Sequence, residues 1–290
     1  MARPGALVSL HVAVLLFGFA GLFGKWISLP AATIVLGRAG FAALALATWL
    51  ILRRQGVGRC EWRFVSSGIL LAVHWVAFFQ AIQTASVAVG LLGFASFPVF
   101  VLVLECVLLR RRARLSEWAC GAVVAAGLAL LVPDFEFDNR IVRGLLWGLA
   151  SGFSFALLAV SNRALVARRT APQIAFWQNA WAALVLTPAL LLGNAAPQGH
   201  DLAALLVLGV VCTAFAHSLF IHSMRTLSAH TASVVASLEP VYGIVLAALL
   251  LGEWPDARSF LAAIVILGAS AWASTRAVGT VDVARTPPLV

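Results

Sequence analysis

Residues 84–109 read TASVAVGLLGFASFPVFVLVLECVLL, and residues 226–251 read TLSAHTASVVASLEPVYGIVLAALLL. Laid on each other without a gap, they place Thr84-Ala-Ser86 on Thr226-Leu-Ser228 and Pro98-Val99-Phe100 on Pro240-Val241-Tyr242. Val103-Leu104 then falls on Val245-Leu246, and Leu108-Leu109 on Leu250-Leu251. The offset is 142 residues (226 − 84). Apolar chains produce chance identities of Ala, Leu and Val freely. Paired prolines with the same approach of small residues do not arise that way, so the segments read as copies of one unit. An offset of 140 extends the match upstream, with Ala42-Ala-Leu44 on Ala182-Ala-Leu184 and Ile34 on Ile174.

Both copies are long apolar runs, and the rest of the chain resembles them. Of 290 residues, 62% are apolar or aromatic and 11% are charged, with mean hydropathy +1.00. A soluble domain of this length has about a quarter charged residues and must wet its surface. A soluble enzyme, a disordered region and a secreted disulfide scaffold are excluded. The net charge of +9 does not signal nucleic acid, because Lys and Arg sit in short clusters between apolar runs. Cys60, Cys106, Cys120 and Cys212 are scattered with no metal or disulfide spacing and read as small apolar fillers.

A helix needs about 20 apolar residues to cross the hydrocarbon layer. Such runs lie near 6–27, 31–52, 64–83, 86–109, 116–132, 143–166, 171–192, 202–224, 229–251 and 257–276. The expected fold is an all-α membrane protein of ten transmembrane helices. Alternate loops hold 15 Lys and Arg (Arg3, Arg53, Arg54, Arg59, Arg63, Arg110, Arg111, Arg112, Arg114, Arg163, Arg168, Arg169, Arg225, Arg276 and Arg285), against 4 on the other side (Lys25, Arg140, Arg143 and Arg258). Positive charge stays inside, so both termini are expected in the cytoplasm. The acids Asp134, Glu136, Asp138, Asp201, Glu253 and Asp256 then fall outside. Five spans per copy is an odd number, so the second copy enters the bilayer upside down. The expectation is two inverted five-helix repeats, 1–139 and 140–290, forming one membrane unit of the kind secondary transporters use.

The run from Ala81 through Ser86 to Phe97-Pro98-Val99-Phe100, its second copy ending Leu238-Glu239-Pro240-Val241 and Leu250-Leu-Gly-Glu253, and the opening Leu16-Phe17-Gly18-Phe19 before Lys25 resemble the drug/metabolite transporter superfamily, EamA type. The resemblance covers essentially the whole chain and leans toward aromatic amino acid exporters of the YddG kind. It implies ten helices, two inverted halves, and export of small metabolites along a path lined by spans one, three, four, six, eight and nine. The first copy departs from the pattern: Phe97 stands opposite Glu239, and Arg111 opposite Glu253.

Polar groups inside spans are costly, at about +2.5 to +3.5 kcal/mol for a charge at the helix centre. Glu239, directly before Pro240, reads either as a gate, proton site or ammonium contact, or as a carboxylate capping backbone at the proline. Glu105 is placed to reach the Arg110–Arg112 cluster, and Lys25 to snorkel from a span end. Arg38 has no charged neighbour in sequence, and its counterpart at offset 140 is Gln178; it reads as a structural tie or a gate. His74, His217 and His222 read as packed histidines or cavity-lining groups, since ring nitrogens need partners.

Trp26, Trp62, Trp118 and Trp254 sit at span ends as interfacial anchors. Deeper aromatics suggest a cavity for an amphipathic or aromatic solute. The candidate substrate-binding set is His74, Trp75, Phe78, Phe79, Phe94, Phe97, Phe153, Trp177, His217, Glu239 and Tyr242, with Pro98 and Pro240 as candidate hinges. Gly18, Gly21 and Gly24, and Gly144, Gly148 and Gly152, mark close helix approach. No nucleotide-binding or hydrolase motif is present. The expected function is an inner-membrane secondary transporter, monomeric, exporting amino acids, aromatic ones included, by alternating access. No cofactor, metal or nucleic acid is expected; the partners are a small-molecule substrate and the lipid bilayer. The alternatives are a membrane enzyme acting on lipid and a passive channel.

Overall fold

The computed structural model describes residues 4–108, 110–131, 139–188, 197–227, 232, 235, 236 and 238–277. The described residues are helical, without strands. In chain order the helices are α1 (Pro4–Trp26), α2 (Ala31–Leu52), α3 (Trp62–Thr84), α4 (Val87–Phe94), α5 (Phe97–Leu108), α6 (Leu115–Leu130), α7 (Arg140–Leu165), α8 (Ala171–Leu186), α9 (Gly199–Gly209), α10 (Ala216–Ser223), α11 (Glu239–Leu251) and α12 (Ala257–Ala277). A π-helical stretch, Val210–Phe215, joins α9 to α10. Taking α4 with α5, and α9 with α10, as continuous passes, the described residues form ten helical passes. Six passes are long and apolar enough to cross a bilayer: those of α1, α2, α3, α4–α5, α7 and α9–α10. Leu115–Leu130, Glu239–Leu251 and Ala257–Ala269 are shorter apolar helices. Leu109, Ser228, Arg3, Arg285 and the acids Asp134, Glu136 and Asp138 lie outside the described residues.

Local signals set the boundaries. Ser86 caps α4 by accepting from the Val89 N–H at 3.2 Å, and Asn139 caps α7 through the Ile141 N–H at 2.8 Å. Each satisfies an amide that the first helical turn leaves without a partner. The two repeated segments also end alike. Gly252 has φ +68, and the Glu253 N–H returns to the Ala247 carbonyl at 3.2 Å. In the first copy Arg110 has φ +52, and the Arg111 N–H returns to the Glu105 carbonyl at 3.3 Å. This six-residue return closes a helix on a left-handed residue, which glycine enters without strain and arginine enters at a cost.

The prolines stand elsewhere than in a helix interior. The break between α4 and α5 falls at Ala95–Ser96, closed by the Ser96 hydroxyl donating to the Gly93 carbonyl at 2.7 Å. Pro98 is the second residue of α5, and Pro240 the second residue of α11. A proline in a first turn costs no helical hydrogen bond, because that amide has no partner there anyway. The candidate hinges are therefore helix starts rather than mid-helix kinks.

Glycine lets the passes meet backbone to backbone. A Cβ on Gly148 would stand 2.9 Å from Gly93 Cα, and one on Gly152 would stand 2.7 Å from Ser96 Oγ, so α7 lies directly on α4. A Cβ on Gly18 would stand 2.9 Å from the Gly243 nitrogen, so α1 lies as closely on α11. Further packed pairs are α3 with α7, α2 with α8, and α6 with α12.

Polar contacts gather at the two ends of the bundle. At one, Lys25 Nζ reaches the Ala85 carbonyl at 3.3 Å and Glu253 at 3.5 Å, while Glu253 also accepts from the Val87 N–H at 3.1 Å. At the other, Arg169 pairs with Glu61 at 2.6 Å, Gln173 donates to the Gly56 carbonyl at 2.6 Å, and Arg225 donates to the Arg169 carbonyl at 3.1 Å. The hydrogen bond from Arg169 holds the Glu61 carboxyl below the usual carboxylate range. Glu105 does reach the basic cluster, pairing with Arg111 at 3.3 Å; Arg111 also holds Glu117.

Candidate functional site

Where α1, α2, α3, α4, α7, α10 and α11 converge, Phe17, Ala20, Arg38, His74, Trp75, Phe78, Phe94, Phe155, His217 and Glu239 line a narrow internal cavity. Its room for water centres is ≈ 20 Å³, enough for about one water and not for a metabolite.

Each polar wall residue is held from behind. Arg38 is 2% exposed, and its Nε–H donates to Thr213 Oγ1 at 3.1 Å. Its guanidinium carbon lies 3.9 Å from the Trp75 ring centroid and 5.4 Å from that of Phe79. Thr213 sits in the π-helical stretch, where it donates to the Leu208 carbonyl five residues back at 2.7 Å. The widened turn thus supplies an oxygen to orient the arginine, a use typical of π-bulges. Among the described residues no ion pair within 4.0 Å joins Arg38 to Glu239, although both line the cavity.

The histidines are fixed in opposite senses. His74 Nδ1 is 3.1 Å from the Ser151 carbonyl and 2.8 Å from Ser151 Oγ. A carbonyl only accepts, so Nδ1 carries the hydrogen and the neutral ring keeps Nε2 as an acceptor. His217 Nε2 is 3.0 Å from Gln178 Oε1, and Gln178 Nε2 donates to Asn162 Oδ1 at 2.6 Å. That chain makes Nε2 the donor, leaving Nδ1 of His217 as the acceptor. The His74 ring packs 4.5 Å from Phe155 and 5.3 Å from Phe94, between centroids. The cavity thus combines one buried cation, one buried carboxylate, two imidazoles and aromatic walls.

The EamA-like transporter family matches residues 4–132 and 142–275, most of the chain. The chain belongs to that family. This EamA-like transporter is 28% identical over 239 residues to an uncharacterized transporter, YwfM, of Bacillus subtilis (strain 168), covering 79% of each chain. It is 28% identical over 247 residues to the pseudopaline exporter CntI of Pseudomonas aeruginosa (strain UCBPP-PA14), covering 83% of this chain and 84% of that one. It is 22% identical over 206 residues to an S-adenosylmethionine uptake transporter of Rickettsia prowazekii (strain Madrid E), covering 71% and 69%. A solved crystal structure shares the fold, with TM-score 0.73 at 22% identity over 96% of this chain and 100% of the other. Members of the family are transporters, so this multi-pass membrane protein is one too, and not an enzyme. The likeness is to the family at large; the aromatic amino acid exporters of the YddG kind are not singled out.

The EamA-like transporter brings six of the eleven candidate residues to the cavity: His74, Trp75, Phe78, Phe94, His217 and Glu239. Phe79 and Phe97 form the layer behind. Phe79 packs edge-on to Phe78 at 5.7 Å, and Phe97 stacks on Phe94 at 5.5 Å. Tyr242 is half-buried in the α1–α11 seam beside Gly18. Two candidates stand apart. Phe153 is 45% exposed and packs on Phe100, because two residues along a helix turn it away from the face carrying Ser151 and Phe155. Trp177 lies toward the Arg169 end, donating to the Val57 carbonyl at 2.9 Å and stacking on Phe64. His222 is exposed. Phe17, Ala20, Arg38 and Phe155 complete the lining. A mid-span charge without a partner in sequence was the signal for Arg38. Phe17 and Ala20 carry none beyond the glycine-rich face of α1.

Proposed function

We propose that this chain exports small zwitterionic metabolites, neutral amino acids including aromatic ones, by alternating access. The observation that carries the reading is that Arg38 and Glu239 line one aromatic cavity. A substrate carboxylate matches the guanidinium, an ammonium matches the carboxylate and the ring faces, and an apolar side chain matches the Phe and Trp walls. Alternating access between two inverted halves, 1–139 and 140–290, is supported by exchanged crossings: α7 on α4 repeats α1 on α11, each glycine to backbone. The family's two matched stretches divide at the same place. The prolines and the left-handed helix ends also recur at the same offset.

A central cavity with room for about one water favours a carrier over a wide standing pore. Export is the activity named for the Pseudomonas relative. The charge count puts the Arg169 end in the cytoplasm of an inner membrane, and the chain acts as a monomer. Purified protein in liposomes, offered labelled leucine, phenylalanine, a sugar and a sugar phosphate, tests the substrate class. Saturable movement of the amino acids supports it; movement of the sugar or phosphate with none of the amino acids overturns it.

A further inference from the structure

A second cavity lies at the Lys25 end, between the last turn of α3 and the first turns of α7. Gln80, Thr84, Arg140, Arg143 and Trp147 line it, and its room for water centres is ≈ 280 Å³, far more than in the central cavity. Gln80 and Thr84 lie four residues apart on α3, while Arg140, Arg143 and Trp147 follow three and four apart on α7, so two stripes face each other. Gln80 Nε2 donates to Thr84 Oγ1 at 3.3 Å, which commits the threonine oxygen as acceptor and leaves its hydroxyl hydrogen to donate into the groove. Two guanidinium groups and that hydroxyl make the lining rich in donors. Neither arginine has an ion-pair partner among the described residues. Trp147 is 44% exposed on the same face, in the position of an indole at the membrane–water boundary.

We infer that this groove binds the phosphate of an anionic phospholipid headgroup at the membrane surface. Guanidinium groups match phosphate oxygens bidentately, and the adjoining apolar surface of α7 takes the acyl chains. Free inorganic phosphate offers the same oxygens without the chains, so the lipid is the occupant held through both contacts. The site is separate from the central cavity and does not depend on the substrate proposed for it.

The test is native mass spectrometry of the full chain in detergent with phosphatidylglycerol, phosphatidylcholine or inorganic phosphate added. The wild type is expected to retain phosphatidylglycerol several-fold more than an R140Q/R143Q variant, with R140K/R143K between them. Millimolar inorganic phosphate should not displace the lipid. Both arginines are exposed, so these variants keep the fold, and their melting temperatures check this. Thr84→Ala, which removes the hydroxyl donor alone, provides a milder loss should the double variant misfold. Equal phosphatidylglycerol retention by the wild type, R140Q/R143Q and Thr84→Ala overturns the proposal. Full displacement by inorganic phosphate overturns the lipid assignment in favour of a soluble anion.

Discussion

The guanidinium carbon of Arg38 stands 3.9 Å from the Trp75 ring centroid, and the Arg38 Nε–H donates to Thr213 Oγ1 at 3.1 Å. A cation held at both ring and Nε is restrained in direction, and in the proposed function that orientation is what a substrate carboxylate would meet. A hydrogen bond to a charged group contributes about 1.5–3 kcal/mol. Arg38→Ala should therefore raise the half-saturating substrate concentration by about 10–100-fold. Arg38→Lys keeps the charge but loses the plane and the Nε–H, and should recover only part of the affinity. Saturation curves in proteoliposomes check both, and an unchanged curve for Arg38→Ala removes the residue from recognition.

Glu239→Gln removes the only carboxylate among the described cavity-lining residues. Transport of α-amino acids should fall about tenfold or more, while transport of the matching acid without its amine should fall less. The comparison is made on one preparation. Equal losses for the two substrates would assign Glu239 to the backbone at the start of α11 instead of to an ammonium.

The glycine seams predict where packing is intolerant. Gly148→Val should lower the melting temperature and folding yield, since overpacking costs about 1–3 kcal/mol and Gly93 backbone has nowhere to move. Gly40→Ala is the control. Nothing lies within 4 Å of its would-be Cβ, and alanine is the better helix former by about 1 kcal/mol. Equal destabilisation by both would show that the close approach of α7 and α4 is not what fixes the seam.

Pro98→Ala should leave turnover close to wild type, because the helix break at Ala95–Ser96 precedes the proline and is closed by Ser96. Pro240→Ala should behave likewise at the start of α11. Slowed turnover in both, with opposite facing preferences by cysteine accessibility, would restore the prolines as moving hinges.

At the Arg169 end, Glu61 contributes in its charged form, since its carboxyl sits below its ordinary range because Arg169 donates to it. A depressed folded-state value means that the contribution is present above the unfolded carboxylate range and is lost as pH falls through the folded one. Labelling of exposed Cys60 beside Glu61 should be faster in Glu61→Gln than in wild type near neutral pH. The ratio of the two rates should approach one as the pH falls below the ordinary carboxylate range. A pH-independent difference would mean that charge does not hold this loop.

Much of the helical architecture was legible because apolar run length is a one-dimensional signal. The run 31–52 became α2 with the same bounds, and the offset of 142 reappeared as matched helix ends at Arg110 and Gly252. The cavity was legible in part. His74, His217 and Glu239 announced themselves by chemistry out of place in a span. Phe153 and Trp177 look the same in sequence as Phe155 and Trp75, because an aromatic carries no mark of whether its face meets lipid or cavity. Only packing decides it, and in α7 the decision rests on a turn of two residues. The π-helical stretch that brings Thr213 to Arg38 has no signature in VVCTAF.

The central claim is carrier-type exchange of amino acids through the Arg38–Glu239 cavity, and counterflow tests it most directly. Proteoliposomes loaded with unlabelled phenylalanine are given a trace of labelled phenylalanine outside. The account predicts transient accumulation of label above equilibrium in wild type and its loss in Arg38→Ala. Entry of label that is linear, indifferent to the internal amino acid and unchanged in Arg38→Ala would contradict it.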